Sequence, residues 1–358
     1  MSGTVAGSRG PVRVDVVVAT FDAEAYVDDC FGSLRTADTA GLDVRVVAVD
    51  NASRDATVRR IRERFPEVEV VVNDRNLGFA GASNVGIRMA LARDADFVYL
   101  LNPDTAVTPA FLREALAVAA AHPEAGAVQS LLLLAGEPDL VNTAGNAVQF
   151  LGLGYCTRYR QPATSVPDAP AEIAFASGAA VLLRAGALRA AGLLDEDLFL
   201  YQEDLDLGWR QRLAGWSAWL APRSVVFHKY AFSRNPEKYY LLERNRALVL
   251  MKNLRARNLL VLAPALAAGE LGLAAVAARG GWLGQKARAW GFLLTPAAWR
   301  HVRRGRAVQR AIRRVEDREV VRLWTGEVVF EGLAGPWLER VANPVLRVAW
   351  RMLRPLVR

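Results

Sequence analysis

Residues 201–207 place three carboxylates within four positions, in the segment Tyr-Gln-Glu-Asp-Leu-Asp-Leu. Aromatic and aliphatic neighbours surround these acids, and this setting is not typical of a merely solvated surface. Carboxylates held close together repel each other when ionised, and the repulsion raises the pKa of at least one of them. Such a group can take a proton from a hydroxyl, so the cluster predicts a general base.

A second group of polar residues could bind a metal ion. Asn102 and Asp104 stand on either side of Pro103, which restricts the backbone so that both side chains can face one point. Mg²⁺ or Mn²⁺ takes oxygen ligands and shares them with substrate phosphates. The same residues also fit a plain turn capped by Asp104. His228 follows a short apolar run and could either complete the metal site or be structural.

Other polar residues could bind a nucleotide. Asp50 could accept a hydrogen bond from a base or a ribose hydroxyl, or it could cap a helix. The glycine-rich segment 73–81 leads into a predicted helix, whose first backbone N–H groups can bind phosphate, although such loops are common. Arg244 has the planar guanidinium that suits a diphosphate.

The elements that must position these residues are predicted from apolar periodicity. Near-continuous apolar runs indicate strands that are buried on both faces of a parallel sheet, and helical patterns separate them. Alternating strands and helices form right-handed βαβ units, which place ligands beyond the carboxyl ends of the strands. The predicted strands are 12–19, 44–49, 68–72 and 97–101, and the predicted helices are 23–34, 56–65 and 80–92.

The length of 358 residues allows one large catalytic domain with a substantial extension. We expect a disordered N-terminus at 1–11 and a catalytic domain at 12–253. The nucleotide half of this domain is predicted at 12–135 and the acceptor half at 136–253. A helical, basic region follows at 254–358.

Cysteine content and charge narrow the cellular setting. Cys30 and Cys156 are the only cysteines and lack any paired spacing, which favours a reducing cytosol over a disulfide framework. No secretory signal is visible at the start of the chain. The formal net charge is +8, and residues 279–322 contain twelve Lys or Arg against three acids. This basic segment predicts an anionic partner, although a solvated basic face remains the alternative.

The C-terminal region combines its charge with apolar and aromatic residues. Residues 259–278 are almost wholly apolar and long enough for one membrane span, but Pro264, Glu270 and a high Ala and Gly content reduce the energy of insertion. We therefore expect a helix pair lying in or on the bilayer surface. Trp and Arg alternate beyond this segment, as in an in-plane membrane helix. No nucleic-acid-binding motif is evident, so an anionic membrane surface is the expected partner.

Taken together, the motifs resemble family 2 glycosyltransferases of the GT-A fold. The similarity is to the rhamnosyltransferase-like branch of bacterial cell-envelope polysaccharide synthesis, and it extends over residues 12–253. The implied fold is an α/β domain with a mostly parallel central sheet, followed by the helical, membrane-associating extension. The motifs that carry the resemblance occur in the family's order: Val-Asp-Asn-Ala-Ser, Asn-Leu-Gly-Phe-Ala with a later Asn-x-Gly, Leu-Asn-Pro-Asp, Tyr-Gln-Glu-Asp-Leu-Asp-Leu, and His followed by an Arg-Asn helix.

This resemblance implies a set of donor contacts. Thr20 and Asp50 would contact the nucleoside, and Asn76 and Asn84 would line the same cleft. Asn102 occupies the first position of the family's Asp-x-Asp metal motif and would touch the donor sugar or phosphate instead.

The resemblance also implies the metal and catalytic residues. Asp104 would bind Mg²⁺ or Mn²⁺, and His228 resembles the metal-associated histidine of related enzymes. Asp204 is the expected catalytic base, with Glu203 in reserve.

The function implied is that of an inverting glycosyltransferase, of the hexosyltransferase class. It would move a sugar from a nucleotide-diphosphate donor to a polyprenyl-linked saccharide or another cell-envelope glycan. Rhamnose is the first expectation, followed by mannose, galactofuranose and glucose. The enzyme would act as a peripheral or monotopic protein at the cytoplasmic face of the plasma membrane. Two alternatives remain: a sugar-nucleotide-forming nucleotidyltransferase, whose Gly-, Arg- and Lys-containing loop is lacking at residues 20–26, and a catalytically inactive membrane scaffold.

Overall fold

A computed structural model describes residues 10–230, 236–329 and 338–358. Residues 12–101 form four parallel strands, in which β1 pairs with β2 and β4, and β2 pairs with β3. The strands and helices predicted in this segment are confirmed to within a few residues. The elements are β1 Val12–Thr20, α1 Val27–Arg35, β2 Leu42–Asp50, α2 Thr57–Arg64, β3 Glu69–Val72, α3 Gly78–Ala92 and β4 Phe97–Leu101.

Strand β1 lies in the interior because its valines alternate between two hydrophobic layers. Val16 and Val18 pack in the layer that contains Phe31 of α1, whereas Val17 packs in the layer beneath α3. Gly86 allows α3 to approach this closely, since a Cβ atom at that position would stand 2.3 Å from the Val17 side chain. Burial on both faces explains the continuous apolar run in the sequence.

The part of the catalytic domain that follows β4 makes the sheet mixed. The main strand order is β10-β12-β6-β11-β4-β1-β2-β3. Strand β11 is antiparallel to both β4 and β6, and β5 is antiparallel to β12, whereas β6 and β12 are parallel. These elements are β5 Thr105–Val107, α4 Phe111–Ala121, β6 Ala125–Leu134, β7 Glu137–Thr143, β8 Asn146–Gln149, β9 Leu153–Cys156, β10 Ala171–Ile173, β11 Ala180–Arg184, α5 Ala185–Ala191, α6 Glu203–Leu213, β12 Ser217–His228 and α7 Pro236–Asn253.

The C-terminal region is helical, as predicted, and it packs against the part of the catalytic domain that follows β6. Trp324 meets Trp209 edge to face, with ring centroids 4.7 Å apart, and Trp350 stacks on Phe150 at 5.2 Å. These residues belong to one apolar cluster that crosses the end of α7. The region therefore shares a core with the catalytic domain. Its helices are α8 Ala256–Arg279, α9 Leu283–Leu293, α10 Pro296–Ile312, α11 Asp317–Val321 and α12 Asn343–Leu353.

Candidate active site

The antiparallel pairing of β5 with β12 brings Asp104 to His228. Thr105 is in register with His228, and the imidazole Nε2 lies 3.3 Å from Oδ1 of Asp104. The other ring nitrogen, Nδ1, lies 2.9 Å from Oδ1 of Asn142. Since an amide oxygen can only accept, Asn142 favours the tautomer with a proton on Nδ1, in which Nε2 is free to bind a metal ion.

Two acceptor atoms facing each other at this distance suit a cation. The Oδ1 atom of Asp104 is buried and accepts no hydrogen bond from any described residue. A carboxylate oxygen and a neutral imidazole nitrogen are both ligands for Mn²⁺, and the carboxylate also suits Mg²⁺. The pair Asp104–His228 thus fits a divalent cation, and Asn142 orients the histidine. Asn142 was not foreseen from the sequence, because a lone polar residue in β7 carries no motif.

Asn102 lies next to this pair at the carboxyl end of β4. Its backbone N–H donates to the carbonyl of Ala179 at 2.9 Å, and its own carbonyl accepts from the hydroxyl of Thr105 at 2.6 Å. These backbone contacts hold the turn after β4 against the start of β11. The Asn102 side chain is half-buried at the edge of the sheet.

The acidic pair begins helix α6 on the other side of Gly178. Oδ2 of Asp204 accepts from the backbone N–H of Gly178 at 3.3 Å, and Oδ1 accepts from that of Leu205 at 2.7 Å. The Glu203 side chain is buried, and its Oε2 atom has no hydrogen-bond partner among the described residues. Gly178, which donates to Asp204, and Ala179, which accepts from Asn102, are adjacent in the chain. The acidic pair therefore lies close to the turn that follows β4.

Burial sets the protonation of these acids. It is the largest cause that raises the pKa of Glu203 to about 8, and the negative charge of Asp204 adds to the shift. Burial also raises the pKa of Asp204, although backbone N–H groups of Gly178 and Leu205 oppose the change. The two backbone donors favour the ionised form of Asp204, whereas Glu203, with a pKa of about 8, is protonated at neutral pH. Asp204 is the better base of the two.

The third acid of the cluster has a structural role. Burial acts to raise the pKa of Asp206, but Lys252 and Arg210 outweigh it and hold this pKa well below its usual range. Arg210 Nε lies 2.8 Å and Lys252 Nζ 2.9 Å from the carboxylate oxygens. The ion pair of Asp206 with Lys252 consequently joins α6 to α7. Of the three acids in the cluster, Glu203 and Asp204 remain as candidates for the general base.

A strained loop presents the acidic pair. Phe199, Tyr201 and Gln202 have φ angles of 66°, 68° and 70°, a region that side-chain-bearing residues rarely adopt. The Nδ2 group of Asn245 holds this loop by donating to the carbonyls of Leu198 at 2.9 Å, Leu200 at 3.0 Å and Tyr201 at 2.7 Å. Such strain persists where the surrounding structure enforces it, and it is concentrated at functional sites.

Asn245 is therefore a positioning residue that the sequence did not reveal. The Arg-Asn pair marks its place on α7, but only the tertiary structure shows that the amide, and not the neighbouring guanidinium, holds the loop.

A cavity of about 340 Å³ opens beside the acidic pair. Glu203 and Asp204 line it, and so does Tyr230, whose ring centroid lies 5.6 Å from that of His228. The cavity continues along α7 to an apolar wall from the C-terminal region. Leu273, Val276 and Trp282 of that region form the wall, together with Tyr239 and Leu242 of α7.

The residues predicted to bind the nucleoside lie at the same edge of the sheet. The hydroxyl of Thr20 donates to Oδ1 of Asp50 at 2.9 Å, and both residues are buried at the ends of neighbouring parallel strands. The backbone N–H of Ser53 also donates to the Asp50 carboxylate, at 2.8 Å. Asn76 accepts from the backbone N–H of Gly78 at 2.8 Å and so orders the start of α3.

Two of the predicted donor residues do not join the cleft. The amide of Asn84 is buried and bonded to both backbone groups of Leu194, at 2.9 and 3.0 Å, which joins α3 to the segment before α6. Arg244 lies on the face of α7 opposite the cavity and donates to the carbonyls of Asp197 and Leu198. The sequence could not show which face of α7 carries Arg244, because apolar and polar residues are only weakly segregated around this helix.

A second cluster of potential metal ligands lies away from Asp104. Ligand atoms of Asp195, Asp197 and His301 lie within 4.8 Å of one another. Lys252 is paired with Asp195, and Arg304 lies 2.6 Å from Asp197, so protein cations already neutralise both carboxylates.

Comparison with known proteins supports the assignment of the fold and of the family. The chain is 30% identical over 250 residues to N-acetylglucosaminyl-diphospho-decaprenol L-rhamnosyltransferase of Mycobacterium tuberculosis, from strains CDC 1551 / Oshkosh and ATCC 25618 / H37Rv. This match covers 63% of the present chain and 79% of the relative.

Solved structures agree in fold. GalNAc-T7 with UDP, GalNAc and Mn²⁺ matches with a TM-score of 0.56 and 14% identity over 68% of this chain. The match covers 48% of that protein, so the present chain spans about half of its length. The mannosyltransferase PcManGT of Pyrobaculum calidifontis, with GDP-Man and Mn²⁺, matches with a TM-score of 0.50 and 18% identity over 84% of this chain and 86% of that one. At these identities the likeness establishes the fold, which is GT-A.

The family model named "Glycosyltransferase like family 2" matches residues 11–247, the same region that holds the sheet, the strained loop and the acidic pair. On this match and on the fold, the chain belongs to glycosyltransferase family 2.

Proposed function

We propose that this glycosyltransferase is metal-dependent and inverting, and that it transfers a sugar to a polyprenyl-linked saccharide or a similar cell-envelope glycan. The observation that carries the proposal is the cavity lined by Glu203, Asp204 and Tyr230, because the Tyr230 ring lies 5.6 Å from that of His228. A donor held at one end and an acceptor hydroxyl at the other would meet between these groups.

Asp104 and His228 would hold Mg²⁺ or Mn²⁺. The bound cation would neutralise negative charge on the departing diphosphate. Asn142 keeps the His228 ring in the tautomer that leaves Nε2 free for this role. Asn102 stands beside the pair and would contact the donor sugar or phosphate.

Asp204 would act as the catalytic base. Backbone N–H groups of Gly178 and Leu205 stabilise its ionised carboxylate, and it lies in the wall of the cavity where an acceptor hydroxyl can approach. Removal of the hydroxyl proton as the oxygen attacks the anomeric carbon gives a single displacement, which inverts the configuration. Glu203, protonated and buried beside it, would donate a hydrogen bond to the acceptor.

The nucleoside would lie over the ends of β1 and β2. Thr20 and Asp50 form the floor of this region, and Asn76 orders the α3 N-terminus whose N–H groups can face a phosphate. The mycobacterial relative is named as a rhamnosyltransferase that acts on a decaprenol-linked acceptor, which supports rhamnose as the first donor to test.

Attachment to the cytoplasmic face of the membrane would bring the enzyme to such an acceptor. Helix α8 is long and apolar enough to cross a membrane. Only 11% of its most apolar 18-residue stretch is buried in the protein. However, Glu270 in its middle is paired with Arg246 and Lys286. Crossing would break these pairs, so we favour an in-plane position in which the exposed apolar side chains enter the bilayer.

The proposal is tested with the full chain, lipid vesicles that contain a polyprenyl-diphosphate N-acetylglucosamine acceptor, and Mn²⁺. A panel of nucleotide-diphosphate sugars that carry rhamnose, mannose, galactofuranose or glucose is supplied in turn. We expect a product of inverted anomeric configuration from one donor, and none from the Asp204→Asn protein. A product of retained configuration, or equal turnover by the variant, would overturn the mechanism. Release of diphosphate from a sugar phosphate and a nucleoside triphosphate would instead indicate a nucleotidyltransferase.

A further inference from the structure

A second cavity, of about 540 Å³, lies on the face of α7 that is turned away from the acidic pair. Arg244 of α7 forms one wall, and the first turns of α10 form the other. Its charged lining residues are Asp197, Arg244, Arg300, His301, Arg303 and Arg304.

The cavity has an excess of positive charge. Four guanidinium groups face one carboxylate, that of Asp197, which is already held by His301 Nδ1 at 2.9 Å and by Arg304. Arg300 and Arg303 are exposed and form no ion pair with any described residue. Guanidinium groups bind phosphate oxygens through paired N–H donors, so the uncompensated charge suits a phosphate.

Apolar side chains border this charge. Phe292 lines the cavity and lies beneath the Arg244 guanidinium, 5.5 Å from the ring centroid. Leu294 is 85% exposed just before α10, and Trp299 is 49% exposed on its first turn. Arginines next to exposed aromatic and aliphatic side chains are the arrangement of a surface that meets phosphate headgroups and acyl chains together.

We propose that this cavity binds the phosphate of an anionic phospholipid headgroup, with Leu294 and Trp299 in the adjoining acyl region. The proposal rests on the membrane attachment described above, but it does not depend on the sugar donor or on catalysis. Arg244, which resembled a donor ligand in the sequence, would thus bind a phosphate of the membrane.

The cavity also adjoins the loop that presents the acidic pair. Arg244 donates to the carbonyls of Asp197 and Leu198, at 3.1 and 3.0 Å, where the loop begins. The neighbouring residue Asn245 holds the rest of the loop. A phosphate bound at Arg244 would stabilise the start of this loop. Anionic lipid is therefore expected to raise the rate of sugar transfer as well as the binding of the protein to vesicles.

The test compares binding of the full chain to phosphatidylcholine vesicles with and without one-fifth phosphatidylglycerol. The Arg300→Gln/Arg303→Gln double variant is expected to lose about tenfold in partitioning to the anionic vesicles. A matched variant, Arg306→Gln/Arg310→Gln, removes the same charge from the same helix and should lose less than about threefold. Equal losses in both variants would mean that general surface charge drives binding, and would overturn a defined site.

Two further arms identify the ligand and separate this proposal from the proposed function. Inorganic phosphate, compared with chloride at equal ionic strength, should compete only weakly with the vesicles. If phosphate alone saturates the site and abolishes vesicle binding, the lipid assignment is wrong. Donor turnover without vesicles should be unchanged in the Arg300→Gln/Arg303→Gln protein. Vesicle binding is measured without any sugar, so failure of sugar transfer would leave this result intact.

Discussion

Nε2 of His228 lies 3.3 Å from Oδ1 of Asp104, and no described residue donates a hydrogen bond to that oxygen. The two residues are far apart in the sequence and meet only because β5 pairs antiparallel with the end of β12. Asn142 fixes the ring from the other side. A carboxylate and an imidazole lone pair arranged in this way provide two of the ligands that a divalent cation needs.

Asn142 should control metal affinity without contacting the metal. In Asn142→Ala the ring of His228 loses its hydrogen-bond partner, so we expect the Mn²⁺ concentration for half-maximal activity to rise by about 10–100-fold. The measurement is a Mn²⁺ titration of transfer activity at saturating donor. Asn343→Ala is a suitable control, because it removes two hydrogen bonds to Val328 in the C-terminal region. An unchanged Mn²⁺ requirement in Asn142→Ala would exclude this positioning role.

Asp204→Asn should remove the base while preserving the fold, since the amide retains one oxygen that can accept from a backbone N–H. We expect kcat to fall by about 10²–10⁴-fold with little change in nucleotide affinity. Steady-state kinetics and calorimetric titration with the nucleoside diphosphate give the two quantities. If Glu203→Gln produces the larger fall in kcat, the roles of the two acids are reversed.

Stability should depend on pH through Glu203. Its pKa is raised from 4.5 to about 8 in the folded protein, so the folded state binds one more proton than the unfolded state between these values. The free energy of unfolding therefore falls as pH rises through this window, by at most about 1.4 kcal/mol per pH unit. Glu203→Gln should lack this contribution. Urea unfolding of both proteins between pH 5 and 9, in EDTA, measures the difference, and parallel pH dependences would contradict the assignment.

Asn245→Ala should disturb the loop in front of the acidic pair. Three carbonyls lose their common donor, so the strained residues 199–202 are expected to relax and kcat to fall by at least about tenfold. Loss of these buried contacts should also cost about 1–3 kcal/mol of stability. The Asn343→Ala control should lose stability and keep its kcat. A normal kcat in a folded Asn245→Ala protein would show that the loop holds its shape without this residue.

Membrane attachment should depend on the exposed leucines of the C-terminal region. Leu260 and Leu271 of α8 are 75% and 74% exposed, so their replacement by Gln should leave the core intact. Each buried leucine side chain contributes roughly 1.5–3 kcal/mol, and the double variant should therefore bind neutral vesicles at least about tenfold more weakly. Val72→Gln, on the edge strand β3, is the control. Flotation of the full chain with neutral vesicles measures the effect. Equal flotation of the unmodified protein, the double variant and the Val72→Gln control would argue against an in-plane α8.

The strands and helices between residues 12 and 101 could be predicted because each is encoded by its own local sequence. The valines of β1 are apolar at every position, since both faces of this strand are buried. The ends of these strands determined where Thr20, Asp50 and Asp104 would lie, because parallel strands share one carboxyl edge. The motif order then identified the family.

The remaining features depend on packing between distant segments. The antiparallel insertion of β11 and β5 places Gly178 beside Asp204 and His228 beside Asp104, and no local pattern encodes this register. The role of an individual residue also depends on the side chains that it contacts. Asp206 and Asp204 look alike in the sequence, yet Lys252 and Arg210 reach only the first of them.

Arg244 and Asn245 show the same division on one helix. The sequence marks both as polar residues of α7, but it does not show which face of that helix meets the cavity. That choice is made when α7 packs between α6 and the C-terminal helices, which turns Arg244 towards α10 and brings Asn245 beneath the loop. A sequence determines which contacts a side chain can make, whereas the fold determines which of its neighbours it meets.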